Sequence, residues 1–276
     1  MFAVVFACMA LLLGVQGVHN GDDIDWNRHG YLVKILLRER NTDNATACTG
    51  TLISPSAVLT SIKCFPNLPE TTYDGVLIIA LPKTKKTLKR AMLSVHAEGE
   101  VAVIKIHKIQ TKVCEPAPAP PRVARLNIKP TLLKTPWNHV DPLDLVYKHC
   151  RLVGFKTEDD PIDSVESSKA MSVELKLKED SETLMFAEVS DAGTACWDDI
   201  GAPLECALNE EDVWVQVGLL DSIYAQPPNE DWDVSNATCS DIKTMRFAVF
   251  ADESLPRSVE LIDKVGVFAV YDDCEF

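Results

Sequence analysis

The sequence predicts an all-β protein. Three observations carry that expectation: short β-branched and aliphatic stretches recur along the chain, turn residues and proline separate them, and no long apolar pattern of helical period competes before the tail. In order, the stretches are 31–37 (YLVKILL), 51–61 (TLISPSAVLTS), 74–81 (DGVLIIAL), 100–106 (EVAVIKI), 151–155 (RLVGF), 172–178 (SVELKLK) and 213–220 (VWVQVGLL). Each is rich in Val, Ile, Leu or Thr, side chains that pack well on a pleated, half-buried surface. A sandwich or a barrel satisfies this pattern. The run EPAPAPP at 115–121 cannot join a sheet interior, because its prolines lack N–H donors, and it reads as a stiff connector between two halves. Within 254–270 a short helix is expected.

Composition narrows the function classes. A net charge of −14 excludes nucleic acid and anionic membrane surfaces as main partners. Residues 2–15 form an apolar run too short to span a bilayer, followed at once by the polar run 19–30. That arrangement reads as a secretory signal peptide, residues 1–17, cut ahead of Val18, and favours export over an N-terminal anchor. Of nine cysteines Cys8 leaves with that segment, and the even remainder suggests disulfides in an oxidising compartment. Short Cys-x-x-Cys spacings are missing, so neither a structural zinc nor any other cofactor is expected. Asn44 and Asn236 begin sequons usable in a secreted chain. His96, Glu98 and Glu100 alternate as if on one strand face; a solvated polar face is the favoured reading over a metal site.

Five segments in order, 48–65, 99–106, 150–155, 196–206 and 213–222, resemble the trypsin- and chymotrypsin-like serine proteases. CTGTLISPSAVLTSIKCF is similar to the segment carrying that family's catalytic histidine, and CWDDIGAPLEC to the loop carrying its nucleophile. The resemblance implies two antiparallel six-stranded β-barrels with a short C-terminal helix or tail: 18–114, the connector 115–121, 122–253, and the tail 254–276. It also implies disulfides Cys48–Cys64, Cys150–Cys206 and Cys196–Cys239, leaving Cys114 and Cys274 as a fourth pair.

Acyl transfer in that family needs a hydroxyl, an imidazole and an orienting carboxylate. At the matching positions this chain has Ile200, Lys63 and Glu100. A branched hydrocarbon has no lone pair, and a lysine at its reference pKa is neutral in roughly one side chain in 2,500 at pH 7. Asp198 replaces the glycine whose amide helps bind the oxyanion, placing a carboxylate where negative charge would develop. Thr194 stands at the pocket base without charge, and Asp221 and Ser222 replace the residues of the peptide-pairing strand. Ser190 and Ser222 lie near the loop, neither with an identified base.

The resulting expectation is a secreted, non-catalytic homologue acting by extracellular protein binding, in the regulation of proteolysis or in immune and host interactions. The alternatives are a serine endopeptidase with relocated residues and a structural or storage secretory protein. The resemblance further implies an ion pair between a freed Val18 amino group and Asp199. KTKKTLKR (83–90) concentrates Lys83, Lys85, Lys86, Lys89 and Arg90 on an expected surface loop, a candidate exosite for an anionic ligand; a solvated hairpin is the plainer reading. Residues 158–180 contain an acidic loop of the second half.

Overall fold

The computed structural model describes residues 18–25, 29–40, 45–66, 68, 73–81, 86–109, 124, 126, 141–155, 170–181, 184–189, 193–207, 214–225 and 238–250. Regular structure among them is strand or short 3-10 helix. None of their helices is long and apolar enough to cross a membrane. The signal segment, the connector, the tail, Cys114, Cys274, Asn44, Asn236, Ser190, Lys83, Lys85 and the first part of the acidic loop lie outside the described residues.

Strands β2 (Leu32–Glu39), β3 (Ala45–Ser54), β4 (Ala57–Ser61), β5 (Tyr73–Leu81), β6 (Lys86–Glu98) and β7 (Val101–Ile106) close into an antiparallel barrel in the order β2-β3-β4-β7-β6-β5. The period-2 pattern explains which way each faces: Val33, Ile35 and Leu37 are buried, while Lys34, Leu36 and Arg38 between them are less so. Ile53, Leu59, Leu77, Ile79, Ile104 and Ile106 fill the rest of that core.

The second half is an eight-stranded sheet. It runs β1 (Asp22–Asp23), β9 (Ala170–Leu175), β8 (His149–Phe155), β12 (Pro203–Ala207), β13 (Trp214–Ala225), β14 (Ile242–Val249), β11 (Leu184–Glu188), β10 (Leu177–Ser181). Only Lys176 separates β9, beside β1 at one edge, from β10 at the other, so one nearly continuous strand serves both sides of the sheet. Counted that way, six barrel strands remain, with β1 added at the edge. Leu152, Val173, Met185, Leu204, Val217, Leu220, Met245 and Phe247 form its core.

Several expectations change. The stretch 51–61 is two strands, because Pro55 cannot donate and Ser54 Oγ accepts from the Ser56 amide at 3.1 Å to close a turn. Strand β6 replaces much of the expected basic loop: Lys86, Lys89 and Arg90 are strand residues, with Lys89 exposed and Arg90 half-buried. That strand carries few large apolar residues, so periodicity alone hides it; pairing with β5 and β7 on either side recruits it. Glu100 is not on a strand face with His96 and Glu98. It follows Gly99, whose φ of 59° makes the β6–β7 turn, and His96 Nε2 bonds Ser94 Oγ at 3.1 Å. Residues 18–24 pair with the second barrel rather than the first: His19 with Thr194, Asp22 with Ser172, and the Ile24 amide with the Ala170 carbonyl.

Candidate functional site

The loop 196–202 lies between the barrels and is stitched to both. Cys196 is extended, Trp197–Asp199 make one turn of 3-10 helix, and the Cys196 amide donates to Asp199 Oδ2 at 2.8 Å. Toward the second barrel, the Gly201 amide donates to the Leu220 carbonyl and the Leu220 amide to the Ala202 carbonyl, each at 2.8 Å. Toward the first, the Thr49 amide donates to the Ile200 carbonyl at 3.0 Å and Thr49 Oγ1 to the Asp198 carbonyl at 2.9 Å. Disulfides Cys196–Cys239 and Cys48–Cys64 anchor the two sides, and Cys150–Cys206 ties β8 to β12 behind them. These are the three pairs implied by the resemblance. Such covalent closure is consistent with an extracellular protein.

The backbone brings the three triad-equivalent positions to one junction. Lys63 lies in the 3-10 turn Ile62–Cys64, capped by Ser61 Oγ, which accepts from the Lys63 amide at 3.0 Å. The Ile62 amide donates to the Glu100 carbonyl at 3.0 Å, and Cys64 Sγ lies 3.6 Å from the Ile200 carbonyl oxygen. The side chains do not form a relay. Lys63 is exposed, and among the described residues it forms no ion pair with Glu100. Ile200 is partly buried and packs against both barrel cores at once. Its amide is turned toward the Trp197 carbonyl, at 3.5 Å.

Asp221 occupies a bulge in β13 between Leu220 and Ser222 and is fully buried. Its Oδ2 accepts from Ser222 Oγ at 2.6 Å and from Arg246 Nε and Nη2 at 3.2 and 2.8 Å. The hydrogen bond to Asp221 holds the Arg246 guanidinium above its ordinary pKa. Ser222 therefore does have a carboxylate partner, which sequence reading missed. Arg246 lies far along the chain, and only strand pairing places it opposite Ser222. Thr194 is buried, bridged to His19, with its hydroxyl spent on the Ala195 carbonyl at 3.1 Å.

Asp199 is fully buried, and its Oδ1 has no hydrogen-bond partner among the described residues. Burial, then the neighbouring Asp198 charge, push its pKa well above the usual carboxylate value; the Cys196 amide and Lys34 oppose them. Val18 is also buried, its amide donating to the Phe155 carbonyl at 2.7 Å. A Cβ added to Gly154 would meet both Asp199 Oδ1, at 2.6 Å, and Val18 Cγ2, at 2.7 Å, so the two residues share one pocket wall.

A pH dependence follows. With its pKa raised by burial, Asp199 holds its proton more tightly in the folded state than in the unfolded chain, where a carboxyl of this type titrates near pH ~3.9. The stability this proton confers is complete below that value and is lost as pH rises through the raised folded pKa. Urea unfolding across pH 4–8 is expected to show this decline, and Asp199→Asn to flatten it.

No protein-family model and no curated protein sequence matches the chain. Among solved structures, HL collagenase superposes with a TM-score of 0.59 over 90% of this chain and 99% of its own, at 14% identity. At that identity the likeness speaks for the fold alone, and it agrees with the closed barrel, the second curled sheet and the connecting loop described above: the chain has the two-barrel, trypsin-like serine protease fold.

Proposed function

We propose that this chain is a secreted, non-catalytic protein of trypsin-like fold that acts by binding extracellular proteins, in the regulation of proteolysis or in immune and host interactions. The carrying observation is Ile200. Where the resembled family needs a nucleophile, this chain places a hydrocarbon that packs against both cores. The surroundings support the same reading. Lys63 is exposed with no carboxylate among the described residues to orient it, the Ile200 amide is turned toward the Trp197 carbonyl, and Asp198 brings a carboxylate beside the place where an oxyanion would be stabilised. A scaffold with its loop stitched to both barrels and no chemistry at its centre is suited to presenting surfaces.

The rival hydrolase reading rests on Ser222 and its carboxylate partner Asp221. A serine-directed fluorophosphonate separates the two. The purified protein is expected to stay unlabelled, and the triple variant Lys63→His, Glu100→Asp, Ile200→Ser to remain without measurable turnover. Labelling that disappears in Ser222→Ala would overturn the non-catalytic reading. Affinity capture from extracellular fluid is expected to yield a saturable protein partner; a storage protein would yield none. The strand-borne Lys89 and Arg90, with Lys86 and the neighbouring Lys83 and Lys85, are a candidate anionic contact within that role.

A further inference from the structure

The partners of one buried histidine fix where its proton sits. His29 lies where the chain leaves β1, on the second barrel, and enters β2 of the first, and it is nearly fully buried. Its Nδ1 faces the Asp25 carbonyl oxygen at 2.9 Å, an acceptor, so Nδ1 carries the hydrogen. Its Nε2 faces Arg151 Nη2 at 3.0 Å, and a guanidinium can only donate, so Nε2 offers its lone pair. These contacts require a neutral ring. Glu205 Oε2 is 3.7 Å from Nε2, but it already accepts from Arg151 Nε and Nη2, while Oε1 accepts from the Tyr31 hydroxyl. Tyr31 packs edge-on against the imidazole with ring centroids 5.6 Å apart, and Trp214 lies over the guanidinium at 3.7 Å. On the far side of Trp214, His149 and Glu174 form an exposed pair at 3.1 Å.

We propose that His29 is a proton-operated latch between the barrels. Neutral, it accepts from Arg151 and holds the segment entering the first barrel against the second; protonated, it releases that segment. A hydrogen added at Nε2 would point at the N–H groups of the guanidinium and set two buried cations beside one carboxylate. For the imidazolium to take Glu205, Arg151 must surrender the oxygen it holds, so the seam loses a bond either way. Opening toward water relieves the conflict, and acid therefore favours the open form. The His29 carbonyl accepts from the Leu32 amide at 3.0 Å, and the Ala170 carbonyl from the Ile24 amide at 3.0 Å, so backbone bonds on both sides of His29 report the latch. His29 and its partners occupy none of the triad-equivalent positions, and the latch stands or falls apart from the non-catalytic reading.

The test measures amide protection by hydrogen exchange in the purified protein at about pH 7.5 and about pH 5.5, with the intrinsic pH dependence of exchange removed. In acid, the Ile24 and Leu32 amides are expected to lose protection by about fivefold or more, while the amides of β7, paired on both sides, keep theirs. His29→Gln, which retains a donor and an acceptor but does not titrate, should be equally protected at both values. His149→Gln and Asp199→Asn should each leave the acid response in place. Imidazole nitrogen shifts of the wild type at the higher pH should show the Nδ1–H tautomer. An Nε2–H tautomer there would overturn the proposal, as would an acid response that is absent from the wild type, retained in His29→Gln, or lost in either of the other variants. If His29→Gln fails to fold, the wild-type tautomer and acid response together support the latch, and the lack of either overturns it.

Discussion

Gly201→Ala is expected to lower the melting temperature by about 10 °C, the sum of two separate penalties. Gly201 adopts a φ of +86°, outside the range L side chains readily take. A Cβ there would also collide with Thr60 Oγ1 and the Thr49 carbonyl oxygen. Thr60 cannot simply swing away, since its hydroxyl is fully buried and donates to that same Thr49 carbonyl at 2.8 Å. Backbone strain of about 1–3 kcal/mol adds to overpacking of about 1–3 kcal/mol. For a domain of this size each kcal/mol shifts the melting temperature by about 2–4 °C. Thermal unfolding measures the drop directly, and a variant as stable as wild type would show that the loop lies otherwise.

Glu205→Ala is expected to destabilise by about 3–5 kcal/mol, as removal of one partner from a buried ion pair does. Glu205 and Arg151 are cross-strand neighbours on β12 and β8, next to the Cys150–Cys206 disulfide. Glu205 Oε2 accepts from Arg151 Nε and Nη2 at 3.2 and 3.0 Å, and Oε1 accepts from the Tyr31 hydroxyl. Arg151 also donates to His29 Nε2 at 3.0 Å, which leaves His29 Nδ1 to donate to the Asp25 carbonyl at 2.9 Å. Trp214 covers the guanidinium at 3.7 Å. Because Glu205 is nearly fully buried, its loss would take from the arginine the carboxylate it is paired with here and from the tyrosine hydroxyl its acceptor. Changing both partners, Glu205→Leu with Arg151→Met, should recover most of the loss, since two apolar side chains leave no charge unpaired. Denaturant unfolding of the single and double variants decides it. A double variant no better than Glu205→Ala alone would show that the network, rather than the charge pair, carries the stability.

This cluster also marks where sequence reading stops. Tyr31, Arg151 and Glu205 each sit in a stretch dominated by apolar residues, and nothing in their spacing announces that they meet. Tyr31 comes from the start of the first barrel and the other two from the second, so only the packing of one barrel on the other joins them. Arg246 with Asp221 has the same character: a long-range charge pair between residues on different strands. Lys63 and Glu100 are the converse. The family-like register holds their backbones together through the Ile62 amide and the Glu100 carbonyl, yet the side chains, on a two-residue turn and a 3-10 turn, form no ion pair among the described residues.

What the sequence by itself determined is the set of local properties: all-β character from repeated β-branched runs, the cysteine framework at family-like spacing, and a hydrocarbon at position 200. These are readable because alternation and residue chemistry act over a few neighbours. Tertiary structure alone decided the rest. It made β6 a strand by pairing it on both sides, made β9 and β10 one nearly continuous strand that serves both sides of the second barrel's sheet, moved residues 18–24 onto that barrel, and placed Ile200 against two cores. Those outcomes depend on free energies of contact between residues far apart in the chain, which no local pattern encodes.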